Sequence, residues 1–162
     1  MSIDSRYASD VASVDAIIAA MYDVISGPAG PRDEARERHL FHPHARLMRG
    51  LPSGAHPLMD SATPGLRVFT VDEFLASVFP MFLEREFYES ELGREEFRFG
   101  RLVHVVSAYE SHHRLGEPAY ARGINSVQLW FDAGRWWIVN MIWDWEAGDV
   151  AIPAHLSTRS KP

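Results

Sequence analysis

The 162-residue chain contains no cysteine. Disulfides, thiolate metal ligands and a cysteine nucleophile are therefore excluded, and the absence fits a reducing compartment. No stretch approaches the roughly 18 consecutive apolar residues of a membrane span, and the opening MSIDSRYASD lacks the apolar centre of a secretory signal. The expected location is cytoplasmic, with no membrane partner. Basic residues are in deficit: 16 Lys and Arg face 22 Asp and Glu, for a net charge of −6. A nucleic-acid surface is normally basic, so no nucleic-acid partner is expected. GPAGP is too rich in proline to offer a row of backbone N–H groups to a phosphate. No G-x-S-x-G elbow and no H-E-x-x-H pair occurs. His42 and His44 could share a strand face, but the adjacent His112 and His113 point to opposite faces. No metal and no cofactor is expected.

What is present suits one α+β domain over residues 1–162, with 1–9 and 156–162 frayed. The composition, 46% hydrophobic and 23% charged, is that of an ordinary globular chain. Val14, Ile17, Ile18, Met21, Tyr22 and Ile25 recur at helical spacing. Ser9 or Asp10 can cap that helix, and Gly27-Pro28 ends it. GPRDEARERHLF reads as a short second helix and FHPHARLMRG as a strand, with Pro43 at an edge or at its start. Residues 51–66 read as a loop. Thr70 and Glu73 have capping-box spacing ahead of a third helix that should fade near Ser90, kinked or interrupted at Pro80. Strands follow over 97–114, 121–131 and 135–145. Helices first and an antiparallel meander after them predict helices packed on one face of a curved sheet.

The last strand, RWWIVNMIWDWE, holds four of the five tryptophans. Alternation places Trp136, Ile138, Asn140, Ile142 and Asp144 on one face and Trp137, Val139, Met141, Trp143 and Trp145 on the other. A three-residue loop, Asp132 to Gly134, would set Arg122 opposite Asp144 and Ser126 opposite Asn140. A two-residue loop would shift the register by one. The face with Arg122, Ser126, Gln128, Trp136, Asn140 and Asp144 mixes apolar walls with convergent polar groups, the usual makeup of a small-molecule pocket. The other, with Val127, Leu129, Val139, Met141 and Trp143, carries only Asn125 as a polar member. It is assigned to a partner subunit, giving a homodimer through the sheet.

FHPHARL, the capped third helix and VHVVSAYES…YARGINSVQLWFDAGRWWIVNMIWDWE resemble the nuclear transport factor 2-like superfamily, over roughly residues 10–146. The nearest likeness is to its bacterial SnoaL-like and steroid isomerase-like members. The resemblance implies a cone of curved antiparallel sheet closed by three helices, an internal cavity, and frequent sheet-to-sheet dimers. It implies no single chemistry, since the fold hosts isomerases, dehydratases, hydrolases and non-enzymes. It also implies that Trp136 and Ile138 face the cavity. Asp144 is the candidate acid/base, because a carboxylate in an apolar cavity holds its proton more tightly. Its alternative role is an ion pair with Arg122. Tyr109 is the candidate oxyanion donor. Arg122, Ser126, Gln128, Trp136, Asn140 and His44 are candidate ligand-binding residues. The expected function is small-molecule binding, either with proton-transfer catalysis on a small apolar substrate or as a non-catalytic binding or dimerisation module.

Overall fold

A computed structural model describes residues 4–51 and 65–157. A 3₁₀ turn over Ser5–Val11 opens the chain, started by the Asp4 carboxylate accepting the Arg6 N–H at 3.0 Å. Tyr7 of this turn is buried, so this part of the expected frayed end is packed. Helix α1 (Val14–Ile25) follows, capped by Ser13, whose hydroxyl accepts the Ala16 N–H at 3.0 Å. Ser13 rather than Ser9 or Asp10 is the cap, and Asp10 instead pairs with Arg36. The stripe predicted for α1 is the buried one: Ile17 and Ile18 are wholly inaccessible. Burial of an Ile side chain stabilises by about 1.5–3 kcal/mol.

Helix α2 (Glu34–Leu40) starts at an Asp33 cap and runs directly into strand β1 (Phe41–Leu51). The predicted loop falls mostly on residues 52–64, outside the described residues. Its last two positions belong to β2 (Gly65–Phe69), a strand the proline-rich reading did not anticipate. Helix α3 (Val71–Glu84) has the full Thr70/Glu73 capping box and continues through Pro80. It stops at Glu84, short of the predicted Ser90, because the chain has already turned into an edge strand.

That strand, β3 (Tyr88–Phe99), pairs with β4 (Leu102–His112); the predicted single strand over 97–114 is the end of one and the whole of the other. Strands β5 (Ala121–Asp132) and β6 (Arg135–Trp145) complete a six-stranded sheet of order β2-β1-β6-β5-β4-β3. All neighbours are antiparallel except β1 and β6, which run parallel, so the curved sheet is mixed rather than wholly antiparallel. Pro43 lies near the start of β1, inside the irregular stretch between Phe41 and Arg46, where a missing N–H costs no ladder bond.

The helices settle which face of the sheet is inside. Tyr22 of α1 bonds the Ser107 hydroxyl at 2.7 Å and accepts from the Asn125 amide at 3.1 Å. The row Leu47–Met141–Val127–Val105 therefore packs under the helices. The row Val68–Met48–Ile142–Ser126–Val106–Glu95 crosses all six strands on the opposite, outer face. After β6 the chain returns over one corner of that face, where Ile152 and Leu156 pack with Leu92 and Ala108.

Candidate functional site

The β5–β6 turn is Ala133-Gly134, both at positive φ (51° and 79°). Two positive φ values make the tight turn whose twist matches a hairpin. Asp132 faces Arg135 and Leu129 faces Ile138; then a bulge slips the register, so that Gln128 faces Asn140 and Ile124 faces Asp144. The bulge breaks the alternation of β6. Trp136 and Ile138 pair with Phe131 and Leu129 on the inner side, and beyond the bulge Met141, Trp143 and Trp145 take the same side.

This corrects the predicted cavity face. Ile124, Ser126, Gln128, Asn140 and Asp144 do share a face, but it is the outer one. Asp144 is exposed, and its Oδ1 accepts the Trp145 N–H at 2.9 Å. Arg122 faces Glu110 and forms an ion pair with Glu146 at 3.6 Å, not with Asp144. Ser126 lies 2.9 Å from the His104 ring. His44 is exposed beside His42, and Trp136 packs on Phe131 away from the cavity. Trp143, assigned to a partner subunit, instead meets Phe74 of α3 edge-on at 6.0 Å. The physical reason is that the helices cover the more apolar face, which was the face with Asn125 alone.

A cavity of about 90 Å³ opens under the helices at that end of the sheet. Phe74, Val78, Met81 and Phe82 of α3 form its roof, with Ile25 and Phe87 at the side. Tyr109 and Ser111 of β4, Asn125 of β5, and Met141, Trp143 and Trp145 of β6 form its floor, with Tyr120 at the entry to β5. Among the predicted site residues only Tyr109 belongs to this set.

Among the described residues one carboxyl lines the cavity, that of Glu89 in β3. The β3–β4 register sets Glu89 against Ser111, whose hydroxyl donates to Glu89 Oε2 at 2.8 Å. The residue also borders an open groove with Ser26, Tyr88 and His112, which accounts for its partial exposure, while the carboxyl itself is enclosed. Burial pushes its proton affinity up to about 7, partly opposed by hydrogen bonds from Ser111 and Asn125. Burial and the nearby Glu89 raise the Tyr109 hydroxyl as well, and Tyr120 responds in the same way. Both phenols therefore stay protonated and able to donate.

Behind Glu89 the hydrogen bonds run in one direction. Asn125 donates to the Tyr22 hydroxyl, so Tyr22 donates to Ser107, and Ser107 donates to Glu91 at 2.6 Å. The chain of donors anchors Asn125 beside Glu89. Tyr109 fits only because residue 123 is glycine: a Cβ there would stand 2.6 Å from its hydroxyl.

Sequence reading missed Glu89 because YESELGREEFRF is too charged to read as a strand. It is one of the two edge strands of the sheet, where charge discourages pairing with other chains. The available signal was Asn125, a lone polar residue on an otherwise apolar face. Among the described residues no group of three His, Asp or Glu side chains could hold a metal ion.

A curved sheet covered by helices over a small polar-floored cavity defines the structural class. No protein-family model matches the chain, and no curated protein does. Solved structures do. A nuclear transport factor 2-like protein of unknown function from Silicibacter pomeroyi is 13% identical, with 90% of this chain and 100% of that one covered at a TM-score of 0.53. A Parabacteroides distasonis protein provisionally named a ketosteroid isomerase is 9% identical, with 82% and 86% covered at 0.54. A chain of the yeast deubiquitinase Ubp3 and Bre5 cofactor complex is 10% identical, with 84% and 96% covered at 0.57. These likenesses show the fold: the chain has the nuclear transport factor 2-like fold.

Proposed function

We propose that the chain binds a small, largely apolar molecule in this cavity, and that Glu89 exchanges protons with it. The activity would be that of a cofactor-independent isomerase, lyase or hydrolase acting on a carbonyl-type or cyclic compound. The SnoaL-like and steroid isomerase-like proteins that the sequence resembles suggest the same class. The observation that carries the reading is an enclosed carboxyl of raised proton affinity beside a buried phenol in an aromatic cavity. A carboxyl that titrates near 7 can both accept and return a proton at neutral pH. Tyr109 would donate to the oxyanion that forms when a proton leaves the carbon next to a carbonyl. At about 90 Å³ the cavity is well below the roughly 300–1,000 Å³ of drug-sized sites, which favours a small substrate. Asp144, Arg122, Ser126, Gln128, Trp136, Asn140 and His44 take no part in this reading.

The test is exchange of α-protons of small cyclic ketones in D₂O, followed by NMR. The folded wild type should accelerate exchange with a rate that rises through pH 7. Glu89→Gln should lower the rate by roughly 10²-fold or more while keeping the fold. A wild type with no exchange and no bound ligand, whose Glu89 titrates near pH 4.5, would remove the enzyme reading.

One observation supports the alternative, a non-catalytic binding or dimerisation module. On the outer face Phe97, Phe99 and Leu102 are exposed at one edge of the sheet, and Leu66 and Val68 at the other. A second copy laid on this face would cover them. The homodimer through the sheet is therefore retained as part of the proposal, on the face opposite to the one the tryptophan pattern suggested.

A further inference from the structure

Away from the cavity, a groove of about 600 Å³ lies where the opening 3₁₀ turn, the end of α2 and the start of β6 meet. Tyr7, His39, Phe41, His42, Arg135 and Trp137 line it. Arg135 is only 2% exposed, yet no acidic side chain among the described residues forms an ion pair with it. Its guanidinium carbon sits over the Trp137 ring, 3.6 Å from the centroid. Nε donates to the Trp136 carbonyl at 3.2 Å. One terminal nitrogen donates to the His39 ring, with the shorter contact 2.8 Å to Nε2, and the other donates to the His39 carbonyl.

These bonds engage one N–H on each nitrogen. A guanidinium carries five, so each terminal nitrogen keeps one N–H in reserve. Leftover N–H donors on a guanidinium suit a carboxylate oxygen. The acids at the rim do not pair with Arg135: Asp4 is held by Arg6 at 2.7 Å and Asp72 by Arg38 at 2.9 Å. A buried cation without a counter-ion is costly. Burial alone lowers the Arg135 proton affinity to about 10. His39 is lowered too, first by burial and then by Arg135, so the ring nitrogen facing the guanidinium is an acceptor.

We propose that this groove is a second ligand site, which takes a small organic carboxylate with an apolar body: the carboxylate beside the Arg135 guanidinium, the body against Tyr7, Phe41 and Trp137. The groove volume suits such a ligand. The bound anion supplies the counter-ion that no described acidic residue gives Arg135, and it raises the His39 proton affinity by shielding the guanidinium. The site is independent of Glu89 and of any chemistry in the cavity.

Benzoate is the probe, with benzyl alcohol as its neutral counterpart and inorganic phosphate as the bare anion. NMR of the full chain should show saturable 1:1 binding of benzoate, with movement of the His39 and Trp137 ring signals. The Trp143 and Trp145 signals should stay in place. Benzyl alcohol and phosphate should bind at least roughly tenfold more weakly. Arg135→Met should abolish the benzoate response, and Arg135→Lys, which keeps the charge without the planar guanidinium, should weaken it. If either variant fails to fold, the wild-type signals decide alone. Unmoved His39 and Trp137 signals overturn the proposal. So does phosphate or benzyl alcohol binding as tightly as benzoate.

Discussion

Gly123 sits where two strands and a phenol leave no room for a methyl group. A Cβ there would fall 2.2 Å from the Asp144 carbonyl oxygen and 2.6 Å from the Tyr109 hydroxyl. Backbone cannot yield as a flexible side chain can. Gly123→Ala should therefore cost about 2 kcal/mol or more, in the range of overpacked cores, and displace Tyr109 from the cavity. Urea denaturation gives the stability, and Tyr109 ring signals report the displacement. Glu37 poses a different residue-level problem. It is 2% exposed, and its Oε2 has no hydrogen-bond partner among the described residues. Burial raises its proton affinity from 4.5 to about 8. Between those values the folded chain holds this proton and the unfolded chain does not. Stability should thus fall as pH rises through that window and level off above it. Glu89, raised to about 7, contributes a slope of the same sign over a narrower range. Thermal melts from pH 5 to 9 check this. Glu37→Met should remove much of the slope and stabilise the protein at pH 9 by about 2 kcal/mol.

At the scale of elements, α3 carries the cavity roof, so its start sets the position of the roof. The Thr70 hydroxyl accepts the Glu73 N–H at 3.2 Å, and the Glu73 carboxylate accepts the Thr70 N–H at 2.7 Å. Thr70→Ala should cost about 1 kcal/mol, read as a lower urea midpoint. This element was legible from sequence because its signal is local: a cap, a charge and a stripe within two turns. Strand β3 was not legible, because its pattern is charged throughout. Arg94 is held among Asp15, Glu91 and Glu96, so charges that look solvated in sequence are tied to α1 and to each other. The bulge in β6 was equally hidden. It depends on how β5 and β6 fit together, and it carries Asn140 and Asp144 to the outer face while leaving Trp136 and Ile138 with the core.

For the whole molecule, the outer face is the surface whose partner matters. If it binds a second copy, the wild type should sediment as a dimer at micromolar concentration. Phe97→Asp with Val68→Asp should shift it to monomer without loss of helix content by circular dichroism. Both side chains are more than half exposed, at 67% and 52%, so the substitutions leave the core alone. A wild type that sediments as a monomer would end the dimer reading and leave the cavity proposal standing.

By itself the sequence determined the three helices and the β5–β6 hairpin, but not how the tryptophans divide, because the β6 bulge puts Trp136 on the same inner side as Trp143 and Trp145. It also determined that Asn140 and Asp144 share a face, which follows from periodicity, whereas Ser126 and Gln128 join them only because the bulge offsets the two-residue turn. Only the tertiary structure decided which face the helices cover and where the carboxyl of the cavity comes from. Face choice is a competition between two apolar surfaces for the same helices, and no local pattern records its result. Glu89 reaches the cavity through an edge strand whose pairing partner lies about twenty residues away. Its proton affinity is set by the neighbours that this pairing assembles.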